Sequence, residues 1–546
     1  MKEKLIHRKR VPSREAKHQI FISSMLVLLG GLGLGLSHIP LPFWMLAWIA
    51  LVPLLLLWDR TQSLSNKSLI QFAAEIYTAF LIAYAVAFFW PLLHTFSEFH
   101  ILSRTTVLSF GSLLLVPALF TIPFVASLPY RRAKGRRFGF AVFVTFFLAA
   151  ELIFTYSGFP WPMLGHTQGS VTPLIQFAEL TGVGGISLWV LLFNGLAFAY
   201  FVAKRRKARV KAVLATVVLL SVTAGFGLWR KAQIKQTAEY VTVGLVQPAM
   251  DDATWTERFG GPRIGRLIAL SDSLISAMNA PPIFMIWPEM AIPAPASESR
   301  HQYVTEQLQA WTEEREVALL AGALVPERIQ GRSSRFYNRA MLYRPYAPPQ
   351  HYDQVHPLPY KPHVPIAAQS PWLPPAVQSG FLVGSSQQTL LFDDIRIGVL
   401  LGFEVLLGDY ARRYPRQQAD FLAVLTQDGW WGNTPGYRRH LNYLRLRSIE
   451  TRRSIVQVAT SGSSALLAPD GSVIFKADAH ESTARLAAVP VFGGLTFYVR
   501  YGNWLGTTAL VLSLMLIGWT SLAFAWRFWQ SIDGSPDHVE TLPGVK

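Results

Sequence analysis

Long apolar runs dominate the first 240 residues of the chain and return once near its C-terminus. A helix that crosses a membrane needs about 20 mostly apolar residues. Seven runs come near that length, at residues 19–37, 41–58, 69–93, 106–129, 138–156, 184–203 and 211–229. An eighth covers residues 505–526. The pattern predicts a multi-pass α-helical membrane domain of about eight helices, seven within residues 1–235 and the eighth within 500–530.

The stretch between the seventh and eighth runs, residues 240–495, alternates short apolar segments with polar ones. Buried strands are predicted at 241–247, 283–287, 317–321, 397–401, 421–426 and 454–460. Helices are predicted at 265–278, 303–315 and 438–452, and a final hairpin at 463–475. This alternation predicts an α/β domain of stacked sheets covered by helices. Periodicity alone does not exclude an unrelated α/β fold.

The composition agrees with a large membrane portion, because 51% of the residues are hydrophobic and only 15% are charged. The formal net charge is +17, which would also suit a nucleic-acid-binding protein. However, the Lys and Arg residues occur in short clusters between the apolar runs rather than along one soluble face. We interpret these clusters as topology signals and expect no nucleic-acid partner.

The basic clusters also predict the orientation of the chain, because short basic loops stay on the cytoplasmic side of a membrane. Clusters lie at residues 2–10, 60–67, 131–137 and 204–209. Counting crossings from a cytoplasmic N-terminus puts each of them inside. The sequence therefore predicts a membrane protein with cytoplasmic N- and C-termini, a periplasmic domain at 240–495 and a short cytoplasmic tail.

Cysteine is absent from the chain, which excludes disulfides, thiolate metal sites and a thiol nucleophile. We find no metal-ligand spacing and no phosphate loop in the sequence, so we expect neither a metal nor another cofactor. One acidic residue stands out: Glu289 directly follows an apolar strand and the pair Trp287-Pro288. A carboxylate at such a strand end can have its pKa raised towards that of a general base. Taken alone, such a glutamate is more often a solvated loop residue.

Several motifs occur in a fixed order along the chain. They are Trp-Pro-Glu at 287–289, the strand and elbow at 398–404, Gln-Asp-Gly-Trp-Trp-Gly-Asn at 427–433, Ala-Thr-Ser-Gly at 459–462, and the bridge at 496–504. The membrane part adds Gly-Phe-Pro-Trp at 158–161 and Gln-Phe-Ala-Glu at 176–179. Together they resemble the motifs of apolipoprotein N-acyltransferases, membrane-anchored members of the nitrilase, or carbon-nitrogen hydrolase, superfamily. The resemblance covers nearly the whole chain and implies an αββα sandwich for the soluble domain and a location in the bacterial inner membrane.

The resemblance also implies a reaction and a set of site residues. In the family, a Glu-Lys-Cys set moves an acyl chain from a phospholipid, through a thioester, to the amino terminus of a diacylglyceryl-cysteine lipoprotein. Glu289 and Glu404 match the family's glutamates, whereas Gln354 stands at the lysine position and Gly402 at the cysteine position. The resemblance further implies substrate contacts for three tryptophans, Trp161, Trp430 and Trp431.

The two substitutions leave two functions open. Thioester catalysis is predicted to be lost, because glycine has no side chain to carry an acyl group. The protein is then either an acyltransferase with altered chemistry, such as direct transfer with Glu289 as base, or an inactive paralogue that binds lipid, lipoprotein or a membrane partner. Other polar residues near the expected site are His356, Lys361, Thr426 and Asp428, which we interpret mainly as satisfied polar groups at strand ends.

Overall fold

The structure is a computed structural model that describes residues 14–39, 42–61, 65–88, 104–155, 163–236, 239–250, 261–278, 284–293, 298–326, 336–356, 381–427 and 436–532. Its helices are α1 (Arg14–Ser37), α2 (Val52–Arg60), α3 (Asn66–Ala87), α4 (Arg104–Thr155), α5 (Ala178–Val202), α6 (Arg206–Gln236), α7 (Gly261–Ser276), α8 (Glu298–Arg315), α9 (Gly408–Ala411), α10 (Arg413–Arg416), α11 (Gly436–Thr451), α12 (Phe497–Tyr501) and α13 (Trp504–Ile532).

Seven helical segments among the described residues are long and apolar enough to cross a membrane. One of them, within α4, is 42 residues long, about twice the length that a membrane of roughly 30 Å requires. Its backbone breaks at Gly135, where φ is 84° and ψ is 176°. The two halves then pack against each other, with the rings of Phe124 and Phe143 centred 4.5 Å apart. Helix α4 is therefore an antiparallel hairpin, which agrees with about eight predicted helices.

The predicted helix at 41–58 differs in the structure, which has a 3-10 helix (Pro42–Trp48) followed by α2. The proline at the start of α2 cannot donate a backbone hydrogen bond, which favours a new helix there. Asn194 of α5 supplies the missing bonds, accepting from Leu51 N at 2.8 Å and donating to Ala47 O at 2.7 Å. A side-chain amide thus satisfies the broken backbone inside the helix bundle.

The strands of the soluble part form two sheets. The strands are β1 (Glu239–Gln247), β2 (Phe284–Ile286), β3 (Ala318–Pro326), β4 (Phe336–Arg344), β5 (Ala347–Asp353), β6 (Phe381–Leu382), β7 (Thr389–Phe392), β8 (Ile395–Leu401), β9 (Phe421–Thr426), β10 (Ser454–Ala459), β11 (Ala465–Leu467), β12 (Val473–Lys476) and β13 (Thr483–Val491). One sheet has the order β13-β1-β2-β3-β4-β5 with β6 beside β4, and the other has the order β12-β11-β10-β9-β8-β7. Neighbours are parallel in β1-β2-β3 and in β8-β9-β10.

The two sheets face each other across a core of aliphatic side chains that includes Val243, Ile286, Leu320, Val399 and Val456. A second apolar layer joins α7 and α8 to the outer face of the first sheet, and a third joins α11 to the second sheet. The architecture is an αββα sandwich next to a multi-pass helical domain, so the predicted fold class is confirmed.

Five of these strands, β4–β7 and β13, are not predicted by the apolar pattern. Three of them, β5, β7 and β13, lie at sheet edges, where one side of a strand stays unpaired. Strand β5 even contains two prolines, Pro348 and Pro349, which edge strands tolerate because a missing N–H need not break a ladder. Edge strands therefore lack the apolar signature that marks β1 or β9.

A buried ion network fixes the sandwich to the membrane helices. Arg452, which follows α11 and is 1% exposed, donates from Nε to Glu179 Oε2 at 2.7 Å. The same guanidinium donates from Nη1 to Gln176 Oε1 at 2.7 Å. Arg230 of α6 also donates to Glu179, with Nε 2.8 Å from Oε1. Because these charges are buried and paired, the network holds the soluble domain against α5 and α6.

Candidate active site between the two sheets

The candidate site lies where strand ends of the two sheets meet. Strand β2 belongs to the first sheet and is followed by Glu289, and β8 belongs to the second sheet and is followed directly by Gly402. A Cβ built on Gly402 would lie 3.2 Å from Glu289 Oε1 and 3.4 Å from Oε2. The structure thus brings together two residues that are far apart in the sequence, with the glutamate carboxylate facing the elbow after β8.

Hydrogen bonds hold the Glu289 carboxylate, which is fully buried. Asn338 of β4 donates from Nδ2 to Oε1 at 2.8 Å, and the backbone N–H of Gln427 donates to Oε2 at 2.9 Å. Gly322 of β3 leaves the room for this arrangement, since a Cβ there would come within 2.6 Å of Glu289 Cα. The carboxylate therefore has a fixed position rather than a choice of rotamers.

Gln354, which we expect at the family's lysine position, belongs to the same network. Its Oε1 accepts from Asn338 Nδ2 at 2.9 Å, and its Nε2 donates to Leu401 O at 2.9 Å. Asn338 therefore bridges Glu289 and Gln354, and its own Oδ1 is buried without a partner among the described residues. Sequence reasoning missed Asn338. No local signal marks it, because it is one polar residue within a strand that the pattern does not predict.

Glu404 has a different environment from Glu289. Its Oε1 accepts from the Tyr352 hydroxyl at 2.8 Å and from the backbone N–H groups of Val355 and His356 at 2.9 and 3.0 Å. Its Oε2 accepts from Leu401 N at 2.9 Å. Burial raises the pKa of this carboxyl to about 7, although these hydrogen bonds act in the opposite direction. The side chain thus ties the loop after β5 to the end of β8.

The remaining candidate residues from the sequence either lie outside the described residues or have other contacts. Trp161, Trp430, Trp431, Lys361 and Asp428 lie outside the described residues. The ring of His356 packs edge-on against Tyr410 with centroids 4.6 Å apart, and burial lowers the pKa of its imidazole. Thr426 is fully buried at the end of β9. Within the described ranges, no group of three or more His, Asp or Glu side chains could hold a metal ion.

A buried glutamate that faces an elbow between the two sheets of an αββα sandwich defines a carbon-nitrogen hydrolase domain, here carried by membrane helices. Residues 242–491 match the Carbon-nitrogen hydrolase family, and residues 30–196 match the Apolipoprotein N-acyltransferase N-terminal domain. These matches cover both parts of the molecule. The chain belongs to the apolipoprotein N-acyltransferase family.

Curated relatives align over most of the chain. The apolipoprotein N-acyltransferase of Geobacter metallireducens is 27% identical over 494 residues, which cover 88% of this chain and 91% of that protein. The apolipoprotein N-acyltransferase of Chlorobaculum tepidum is 26% identical over 511 residues, 87% of this chain and 92% of that protein. Among solved structures, Saccharomyces cerevisiae Nit3, a member of branch 10 of the nitrilase superfamily, has 12% sequence identity and a TM-score of 0.36, over 48% of this chain and 93% of that chain.

Proposed function

We propose that the protein binds the substrates of its family, a phospholipid and a diacylated lipoprotein, without forming a thioester intermediate. The observation that carries this proposal is Gly402 at the elbow that faces Glu289. Covalent catalysis needs a side chain that attacks the ester and then holds the acyl group. Glycine offers neither, and the chain contains no cysteine that could act in its place.

The contacts of Gln354 support the same conclusion. A lysine at this position would bring a positive charge to the oxyanion that develops during acyl transfer, and such charge stabilisation is a large part of catalysis. Gln354 is neutral, and its amide nitrogen already donates one hydrogen bond, to Leu401 O. Asn338 satisfies its acceptor oxygen. The two amides thus hold each other and Glu289 in place, and they bring no positive charge to the site.

The orientation of the chain is part of this proposal: an inner-membrane protein with a periplasmic sandwich and cytoplasmic termini. Arg439 of α11 donates to His38 O and Ala87 O, so α1 and α3 end beside the soluble domain. The tip of the α4 hairpin lies at the other end of the bundle, where Arg131 and Arg136 contact Asp59 of α2. Basic loops opposite the sandwich support a cytoplasmic location for that end.

A second candidate function, direct acyl transfer, is favoured by the retained carboxylate of Glu289. In this reaction the lipoprotein amine attacks the phospholipid ester carbonyl, and Glu289 takes the amine proton. The lysophospholipid leaves as an alkoxide and receives that proton. The buried carboxylate faces the elbow closely enough to reach an amine there. This route forms an amide without any acyl group on the protein.

One assay separates the two functions. The purified full chain is incubated with phospholipid and a diacylated lipopeptide, and mass spectrometry records triacylated product and acylated protein. We expect neither from the wild type, nor from Glu289→Gln. Product from the wild type that disappears in Glu289→Gln would establish direct transfer. The variants Gly402→Cys and Gly402→Cys/Gln354→Lys test whether the ancestral groups restore thioester chemistry.

Binding is measured separately, because an inactive protein and a protein that no longer binds give the same result in the assay above. The wild type in detergent is titrated with the diacylated lipopeptide and with the same peptide lacking its acyl chains. We expect saturable binding of the lipidated form alone. Equal binding of both peptides, or of neither, would contradict the proposed function.

A further inference from the structure

A cavity of about 480 Å³ lies where the membrane helices meet the soluble domain. Its walls come from the end of α1, the 3-10 helices Pro42–Trp48 and Leu164–Gln168, the first part of α11, and Lys476 of β12. Glu289, Gln354 and Gly402 are not among the described residues that line it. The volume falls within the range of about 300–1,000 Å³ that small-molecule sites occupy. The cavity is therefore a second candidate binding site, apart from the one between the sheets.

The charge of this cavity is strongly one-sided. Four basic residues line it, namely Arg438, Arg439, Arg445 and Lys476, whereas its described lining includes no Asp or Glu. A concave surface with charges of one sign concentrates ions of the opposite sign. The lining therefore favours an anionic ligand.

Arg439 is the most unusual of these residues because its side chain is only 6% exposed. Its Nη2 donates to His38 O at 2.6 Å and to Ala87 O at 2.9 Å, and its guanidinium lies 4.6 Å from the centre of the Phe88 ring. Its Nε and Nη1 are buried without a hydrogen-bond partner, and no carboxylate of the described residues pairs with it. A buried charge without a counter-ion is costly, and burial accordingly lowers the pKa of this guanidinium.

We propose that this cavity binds a phosphate-bearing anion at the membrane surface, with Arg439 as its anchor. A phosphate supplies both the acceptor oxygens and the negative charge that the guanidinium lacks. The apolar span of α1 ends at Ser37, which lines the cavity, so the cavity lies at the depth of lipid headgroups. A headgroup that also carries an ammonium group would be repelled by the same four basic side chains. We therefore expect phosphoglycerol headgroups to bind better than phosphoethanolamine ones.

This proposal is independent of the chemistry at Gly402 and is tested by binding alone. The purified full chain, in an uncharged detergent, is titrated with dioctanoyl phosphatidylglycerol, dioctanoyl phosphatidylethanolamine or inorganic phosphate. The rise in melting temperature gives an apparent dissociation constant for each. We expect the phosphatidylglycerol constant to be about tenfold lower than the phosphatidylethanolamine constant. Stabilisation by inorganic phosphate at similar concentrations would identify free phosphate, rather than a lipid, as the source of the anion.

Variants connect the binding to the cavity. Arg439→Gln should weaken phosphatidylglycerol binding about tenfold, since a charge-assisted hydrogen bond is lost. Because Arg439 also holds the ends of α1 and α3, the exposed Lys476→Gln serves as a second variant that leaves those contacts intact and should weaken binding less. Arg266→Gln, on the exposed face of α7, is the matched control and should bind as the wild type does. Equal binding of the two lipids, or wild-type binding by both cavity variants, would overturn the proposal.

Discussion

Gly402 has a backbone conformation that favours glycine, with φ at +55°. A residue with a side chain would be strained there, because its Cβ crowds the backbone in the left-handed region. A side chain at this elbow would persist only if the surrounding contacts held it in that conformation. The Glu404 carboxylate accepts hydrogen bonds from the backbone N–H groups of Leu401, Val355 and His356, and so fixes the backbone around this elbow. Glycine at this position therefore avoids the strain that a side chain would bring.

We predict that Gly402→Ala lowers the free energy of unfolding by about 1–2 kcal/mol, because alanine must adopt a positive φ. Its Cβ would also lie 3.2 Å from Glu289 Oε1, which tightens that contact. Thermal unfolding in detergent measures the effect. Gly265→Ala inside α7 is the matched control, since a Cβ there meets nothing within 4 Å. That variant should be stabilised by up to about 1 kcal/mol, and equal behaviour of the two variants would contradict the prediction.

Glu404 gives a prediction about pH. Burial raises the pKa of its carboxyl from 4.5 to about 7, so the folded protein holds this proton more tightly than the unfolded chain does. Its contribution to stability is fully present below pH 4.5 and is lost as the pH rises through 7. The stability of the wild type relative to Glu404→Gln should therefore fall by on the order of 3 kcal/mol between these two pH values. The melting temperatures of the two proteins are measured at several pH values across this range. A constant difference between them would contradict the prediction.

At the scale of elements, the α4 hairpin depends on a single backbone position. Its Gly135 combines a φ of 84° with a ψ of 176°, a region that is essentially restricted to glycine. A Cβ at this position meets nothing within 4 Å, so any effect of a substitution comes from the backbone alone. Two contacts then secure the tip, because Arg131 and Arg136 both reach Asp59 at the end of α2.

We predict that Gly135→Ala destabilises the protein by about 1–3 kcal/mol, although it removes no contact. Gly225→Ala in α6 is the control, because a Cβ there also meets nothing within 4 Å and no positive φ is required. The control should be neutral or slightly stabilising, as expected for alanine inside a helix. The melting temperatures of the two variants are compared in the same detergent. If Gly225→Ala lowered the melting temperature as much as Gly135→Ala, the backbone conformation of Gly135 would not be the cause.

At the scale of the whole molecule, the attachment of the sandwich to the membrane domain rests on buried polar contacts. Glu179 lies at the start of α5 and accepts hydrogen bonds from Arg452, beyond α11, and from Arg230 of α6. Lys231 and Asp470 add a second pair, with Nζ 2.9 Å from Oδ2. These pairs join residues of the membrane helices to Arg452, just before β10, and to Asp470, between β11 and β12. They orient the site between the sheets relative to the bilayer.

We predict that Glu179→Gln costs about 3–5 kcal/mol, because it leaves the buried Arg452 without its counter-ion. The control is Asp272→Asn, which breaks the ion pair with Arg315, where both side chains are about one third exposed. Solvent screens such a pair, so its melting temperature should change little. Thermal unfolding of both variants against the wild type provides the comparison, and a small effect of Glu179→Gln would mean that the network does not hold the two parts together.

The sequence alone determined most of the helices and the central strands, because their signal is local. Long apolar runs form helices that are long enough to cross a membrane, and strand β9 has the predicted bounds. The assignment of Gly402 and Gln354 to substituted catalytic positions stays a prediction. Edge strands such as β5 were not predicted, because a strand at the edge of a sheet need not have the continuous apolar run of a central strand. The family was also accessible, since its motifs keep their order along the chain.

Only the tertiary structure decided which groups meet. Asn338 and Glu289 are 49 residues apart, and Gln427 and Glu289 are 138 apart, so no local pattern could join them. The bonds of Glu404 to the backbone and the unpaired nitrogens of Arg439 likewise arise from packing between distant segments. The periodicity of a segment depends on its neighbours in the chain, whereas a binding site depends on how separate segments pack together.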